Sequence, residues 1–165
     1  MIGHMELRGF KLVVALAAAF ALASCANNNN ADNGLGLSAG AAVPGSTQDF
    51  TVNVGDRVFF ETDSSELTAN GQATLDKQAQ WLTRYGRYAF TVEGHADERG
   101  TREYNFALGA RRAEAVKNYL ISRNIPASRM HTISYGKERP VAVCNDISCW
   151  SQNRRVVTVL SGGNS

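Results

Sequence analysis

The residue types able to do chemistry concentrate in the stretch 94–112, GHADERGTREYNFALGARR. Gly94 reads as the end of a strand, and 95–102 as a loop in which Gly100 permits a tight backbone. Asp97 lies on that loop, while Asn105, Leu108 and Arg112 fall on one face of the helix that follows, at spacings of three and four. Helical side chains lean toward the helix start, so Arg112 projects back over the loop that bears Asp97. A carboxylate takes an ammonium, and a guanidinium takes a carboxylate as a two-pronged fork. The ligand that matches both is a zwitterion with its two charges on one carbon. The plain alternative is a structural salt bridge between Asp97 and Arg112. Both hold if the pair opens when the zwitterion arrives. Arg111 points about 100° away around the helix and reads as solvated or structural.

Other chemistries find less support. His95, Asp97 and Glu98 are close in sequence but lack further ligands, and His131 falls on another strand, so no metal is expected. No serine or cysteine has a matching histidine and acid, and nothing marks a pair of acids for glycoside cleavage. Neither catalysis nor a cofactor is expected. Cys144 and Cys149, in CNDISCW, read first as a short-loop disulfide if the chain is exported, with free thiols and metal as the lesser alternatives. Trp150 reads as packing over that loop rather than stacking on a sugar.

The elements that must position these residues are legible from periodicity. Val52, Val54, Val58 and Phe60 alternate with polar residues, which predicts a strand interrupted at Gly55-Asp56. Thr68 is an N-cap for a helix carrying Leu75, Ala79 and Leu82 to about Arg84. Tyr88 to Glu93 reads as a strand. Arg102 to Arg123 reads as a long helix with a buried stripe at Gly109, Ala113, Val116 and Leu120. Met130 to Tyr135 and Arg155 to Leu160 read as strands. The expected fold is α/β (α+β): a sandwich of helices packed on a mixed sheet of about four strands, in the order strand-helix-strand-helix-strand-strand.

The first 24 residues read as a secretory signal. Arg8 and Lys11 precede an unbroken apolar run, LVVALAAAFALA, too short to span a bilayer at ~20 residues. It ends in Leu22-Ala23-Ser24-Cys25, which looks like a bacterial lipobox in which Cys25 is lipidated and becomes the mature N-terminus. Multiple acyl chains at one cysteine make release from a membrane negligible. Ala26 after the cysteine favours the outer membrane by resemblance to enterobacterial sorting rules. Residues 25–48, with four consecutive asparagines and few bulky apolar residues, read as a tether with a maximal reach of ~65 Å. The domain is expected over 49–161, with 162–165 a disordered tail.

Formal net charge is +2, and without residues 1–24 the balance is 15 basic to 14 acidic side chains. Such a domain does not read as a nucleic-acid binder, which needs a basic patch to neutralise phosphates. Hydrophobic residues make up 44% of the chain, enough for a real core.

The GHADERGT…YN…LG…RRA run, with Trp150 to Val156 (WSQNRRV), resembles the signature of OmpA-like peptidoglycan-binding domains, in the form carried by the peptidoglycan-associated lipoproteins. The resemblance covers about residues 50–160. In that family the aspartate and arginine at these positions hold meso-diaminopimelate, a zwitterion at the end of the peptidoglycan stem peptide, which implies Asp97 and Arg112 here. It also implies that Phe60 and Asp63, at the end of the first strand, and Arg154 lie beside the pocket. Thr101, Tyr104, Asn105 and Leu108 are further candidate contacts. Asp63 reads equally as an Asx-turn. Of Arg154 and Arg155, which alternate across a strand, only one can face the site. The implied protein is an outer-membrane, periplasm-facing lipoprotein of the Tol-Pal system, with TolB and other Tol proteins as partners and a role in envelope integrity and cell division. The rival expectations are an OmpA-like adhesin, secretion component or stator anchor, and, behind them, a lipid-anchored wall hydrolase.

Overall fold

The computed structural model describes residues 42–162. The signal, Cys25 and most of the tether lie outside the described residues. The elements are α1 (Thr47–Asp49), a π-helical turn (Phe50–Gly55), β1 (Arg57–Phe59), α2 (Ala69–Arg84), β2 (Ala89–His95), α3 (Arg102–Ser122), a 3-10 turn (Ala127–Arg129), β3 (Met130–Gly136), α4 (Ile147–Asn153) and β4 (Arg155–Ser161). The strands form one mixed sheet in the order β1-β4-β2-β3. Pairing is antiparallel between β1 and β4 and between β4 and β2, and parallel between β2 and β3. As expected, the fold is α/β, a layer of helices on a four-stranded sheet.

Apolar residues explain the layering. Leu75, Ala79 and Leu82 of α2 and Ala113, Val116 and Leu120 of α3 meet Val58, Phe90, Val92 and Val156 of the sheet in one core. Two glycines let α3 sit unusually close to the sheet. A methyl group added at Gly94 would overlap the carbonyl of Gly109, and one added at Gly109 would overlap Ser134 Oγ. This close approach brings the start of α3, with the Asn105-Leu108-Arg112 face, down onto the end of β2. The β2–β3 register shifts between Gly94 and His95, where the chain leaves the sheet.

Two segments depart from the sequence expectation. Val52 and Val54 do not lie in a strand. Phe50 and Val54, four apart, both turn inward from a helical turn, while Val52 is 67% exposed. Asp49 fastens that turn, accepting from Gly45 N, Asn53 Nδ2 and the Trp81 indole N–H (all 2.8 Å). Gly55, with φ +92, ends it and leaves β1 only three residues. Gly45 O accepts from Tyr88 Oη at 2.7 Å, so the fold reaches back into residues assigned above to the tether. The second departure is α4, read above as loop. It starts at Asp146, whose side chain accepts from Ser148 N at 2.7 Å, and carries Cys149 and Trp150.

Candidate functional site

The loop after β2 is rigidly held. Three consecutive carbonyls, of Glu98, Arg99 and Gly100, accept from side chains. Lys137 Nζ reaches Glu98 O (3.1 Å) and Gly100 O (2.6 Å), and Asn105 Nδ2 reaches Arg99 O (2.7 Å). Gly100 has φ +85. Asp97 is thus aimed by a braced backbone into a cleft of about 270 Å³, lined by Thr62, Asp63, Asp97, Arg99, Gly100, Tyr104, Asn105 and Leu108.

Asp97 and Arg112 do not pair with one another, contrary to the salt-bridge reading. Both Asp97 oxygens are taken by Arg99, from Nε at 3.0 Å and NH2 at 2.7 Å, and Arg154 NH1 stands 3.4 Å away. Burial works against the charge on Asp97, but these guanidinium contacts outweigh it and hold the carboxyl below its usual range. Arg112 is 0% exposed and does not itself line the cleft, although Asn105 and Leu108 of the same helix face do. Its Nε, NH1 and NH2 donate to the carbonyls of Ser64 (2.8 Å), His95 (2.9 Å) and Glu61 (3.0 Å). Three of its five N–H groups are therefore committed to the backbone, and two remain. Burial, with Arg154 nearby, pushes its guanidinium down to about 10, so it stays charged at neutral pH, helped by Asp97 and Asp63.

The other expected residues divide. Asn105 and Leu108 line the cleft from α3, facing as the helical spacing required. Tyr104 and Asp63 join its two walls, with the Tyr104 hydroxyl donating to Asp63 Oδ1. Asp63 has φ +55 and uses its carboxylate there rather than in an Asx-turn. Thr101 is the N-cap of α3, accepting from Tyr104 N, and does not line the cleft. Phe60 is buried beneath the Arg112 guanidinium at 5.2 Å. It borders a larger groove of about 560 Å³, formed by β1, the start of α2, Ser151 and Gln152, which includes neither Asp97 nor Arg112. Arg154 faces the site, its Nε donating to Phe60 O at 2.9 Å. Arg155 lies buried near His95 instead. Arg111 is exposed.

Two residues not anticipated complete the site. Arg99 covers Asp97, and its guanidinium lies over the Trp150 ring, 4.1 Å from the centroid. Trp150 does not simply cover the disulfide loop, since its indole N–H donates to Glu98 Oε1 at 2.7 Å. The placement of Arg99 two residues after Asp97, just before Gly100, was the available signal. Cys144 and Cys149 are bonded, with Cα atoms 5.6 Å apart, which ties α4 to the preceding loop. Asn153 secures the same loop through Val141 N and both backbone groups of Ala142. Among the described residues, no three or more His, Cys, Asp and Glu side chains gather where they would hold a metal ion.

A two-layer α/β domain with a loop carboxylate and a buried helix guanidinium at one end of its sheet defines the class. Residues 59–154 match the OmpA family model, and the chain belongs to the OmpA family. It is similar to a peptidoglycan-associated lipoprotein of Rhizobium meliloti, 67% identical over 93% of this chain and 89% of that one. Among solved structures, it resembles the peptidoglycan-associated lipoprotein of Burkholderia pseudomallei. The TM-score is 0.63 at 40% identity, over 64% of this chain and 90% of that chain. The C-terminal domain of Helicobacter pylori MotB shares the fold at 23% identity, with a TM-score of 0.60 over 64% of this chain and 84% of that one.

Proposed function

We propose that this chain is an outer-membrane lipoprotein that binds peptidoglycan noncovalently and fastens the membrane to the wall. The role is binding rather than catalysis. The observation that carries it is the cleft lined by Asp97, with the charged Arg112 buried on the helix that forms its wall, in an OmpA-family domain whose relatives are named peptidoglycan-associated lipoproteins. The ligand is the zwitterionic end of meso-diaminopimelate. Its ammonium sits on Asp97. Its carboxylate reaches the two N–H groups of Arg112 that the backbone leaves free, once the Tyr104–Asp63 bridge between the cleft walls parts. Tyr104, Asn105 and Leu108 then border the stem peptide. Phe60, Thr101 and Arg154 act from behind, through Arg112, the helix start and Asp97 respectively.

The anchor is acylated Cys25, with the residues that follow as its tether. The resemblance carried by residues 94–112 further implies placement in the Tol-Pal system, with TolB as partner and a part in envelope integrity and division. Sedimentation with purified sacculi tests the binding. Free meso-diaminopimelate should release the protein, whereas equimolar cadaverine, which has two ammonium groups and no carboxylate, should not. Equal release by both, or by neither, would contradict the assigned ligand. Membrane fractionation tests the anchor: Cys25→Ser should leave the membrane fraction, and retention there would contradict lipidation.

A further inference from the structure

Asp97 already has two cations, and they are not equivalent. Arg154 is fixed: its side chain is only 6% exposed, and its Nε is bound to Phe60 O. The Arg99 side chain is 39% exposed and makes contacts that can be surrendered to water: both Asp97 oxygens, Thr62 Oγ1 at 3.4 Å and the face of Trp150. Its backbone is pinned through the carbonyls of residues 98 to 100, so only the side chain is free to move. A ligand ammonium arriving at Asp97 meets a carboxylate already covered by two guanidinium groups, and a third cation there is repelled by both.

We propose that Arg99 is a built-in competitor for the ammonium position on Asp97, held in place by Trp150, so that the ligand binds by displacing it. This rests on the ligand site proposed above. Trp150 is a positioning residue. The Glu98 carboxylate and the disulfide-tied α4 keep its ring against the guanidinium while Arg99 sits on Asp97. A bidentate, partly exposed pair with a stacked ring favours the parked state by roughly tenfold, and ligand affinity is lowered by the same factor. The competitor raises the threshold for any lone amine, so that only ligands with a second charged group for Arg112 bind well.

The test is a calorimetric titration of the full chain in detergent with a diaminopimelate-containing muropeptide, with indole emission followed alongside it. Trp81 is buried in the core, away from the cleft, so the change in indole emission reports Trp150. In the native chain, emission should shift on saturation. Arg99→Gln should bind about tenfold tighter, with the shift abolished, and Trp150→Leu should tighten binding by about threefold. Affinity of Arg99→Gln that is unchanged or weaker overturns the inference. Asp97→Ala separates the two levels. If it loses binding while Arg99→Gln does not tighten, only the competitor is wrong; if it binds like the native chain, the site itself is wrong.

Discussion

Replacing Arg112 should damage the fold before it damages anything else. Its guanidinium closes three carbonyls from two segments, Glu61 and Ser64 on one loop and His95 on β2. A hydrogen bond to a charged group contributes about 1.5–3 kcal/mol, so three would total ~4.5–9 kcal/mol if they were additive. Only the His95 bond is fully buried; water can replace part of the other two in the mutant. Arg112→Ala should therefore cost about 3–5 kcal/mol, a large share of the ~5–15 kcal/mol that holds a domain of this size. Arg112→Lys keeps the charge but not the fork and should fall between. Arg111→Ala, on the exposed side of the same helix turn, should stay within ~0.5 kcal/mol. Urea unfolding followed by circular dichroism measures all three. Arg112→Ala unfolding within ~1 kcal/mol of the native chain would refute the carbonyl clamp.

Further expectations follow from the same geometry. Gly94→Ala should destabilise by roughly 3 kcal/mol because α3 must lift from the sheet, whereas Gly86→Ala, with nothing within 4 Å, should be nearly neutral in the same urea assay. His95 is 2% exposed, and among the described residues neither ring nitrogen has a hydrogen-bond partner, Glu93 Oε2 standing 3.9 Å from Nε2; burial first, then Arg155 and Arg139, lower it from 6.5 to about 4. Between those values the unfolded chain binds the extra proton, so stability contributed by neutral His95 is present above pH 6.5 and lost as pH falls toward 4. The loss should reach about 3 kcal/mol, and His95→Gln should flatten that part of the urea midpoint against pH.

Much of the fold was legible because its signals are local. Thr68 caps α2 where its type predicts, and the stripe Gly109, Ala113, Val116 and Leu120 is buried as its spacing requires. The first strand was misread because Val52 and Val54 satisfy a two-residue period by chance, while Phe50 and Val54 satisfy the helical one of a turn that Asp49 fastens to Asn53 and Trp81. The helix α4 is seven residues long and mostly polar, with too few apolar positions to show a period. Asp97 and Arg112 could be placed at one end of the sheet from loop and helix geometry. What occupies them could not. The partners of Arg112 are carbonyls, which every residue carries, and the rival on Asp97 depends on a tryptophan far along the chain that folding brings to Arg99.

The account stands most directly on calorimetric titration of the native chain and of folded Asp97→Ala with a diaminopimelate-containing muropeptide. Asp97 takes no part in the three-carbonyl clamp of Arg112, so its loss tests the proposed ammonium contact without opening that clamp. Removing one partner of a buried charge pair costs ~2–5 kcal/mol, which predicts a fall in affinity of roughly thirtyfold to several-thousandfold. Binding by Asp97→Ala within a factor of about two of the native chain would place the wall ligand elsewhere on the molecule and contradict the central claim.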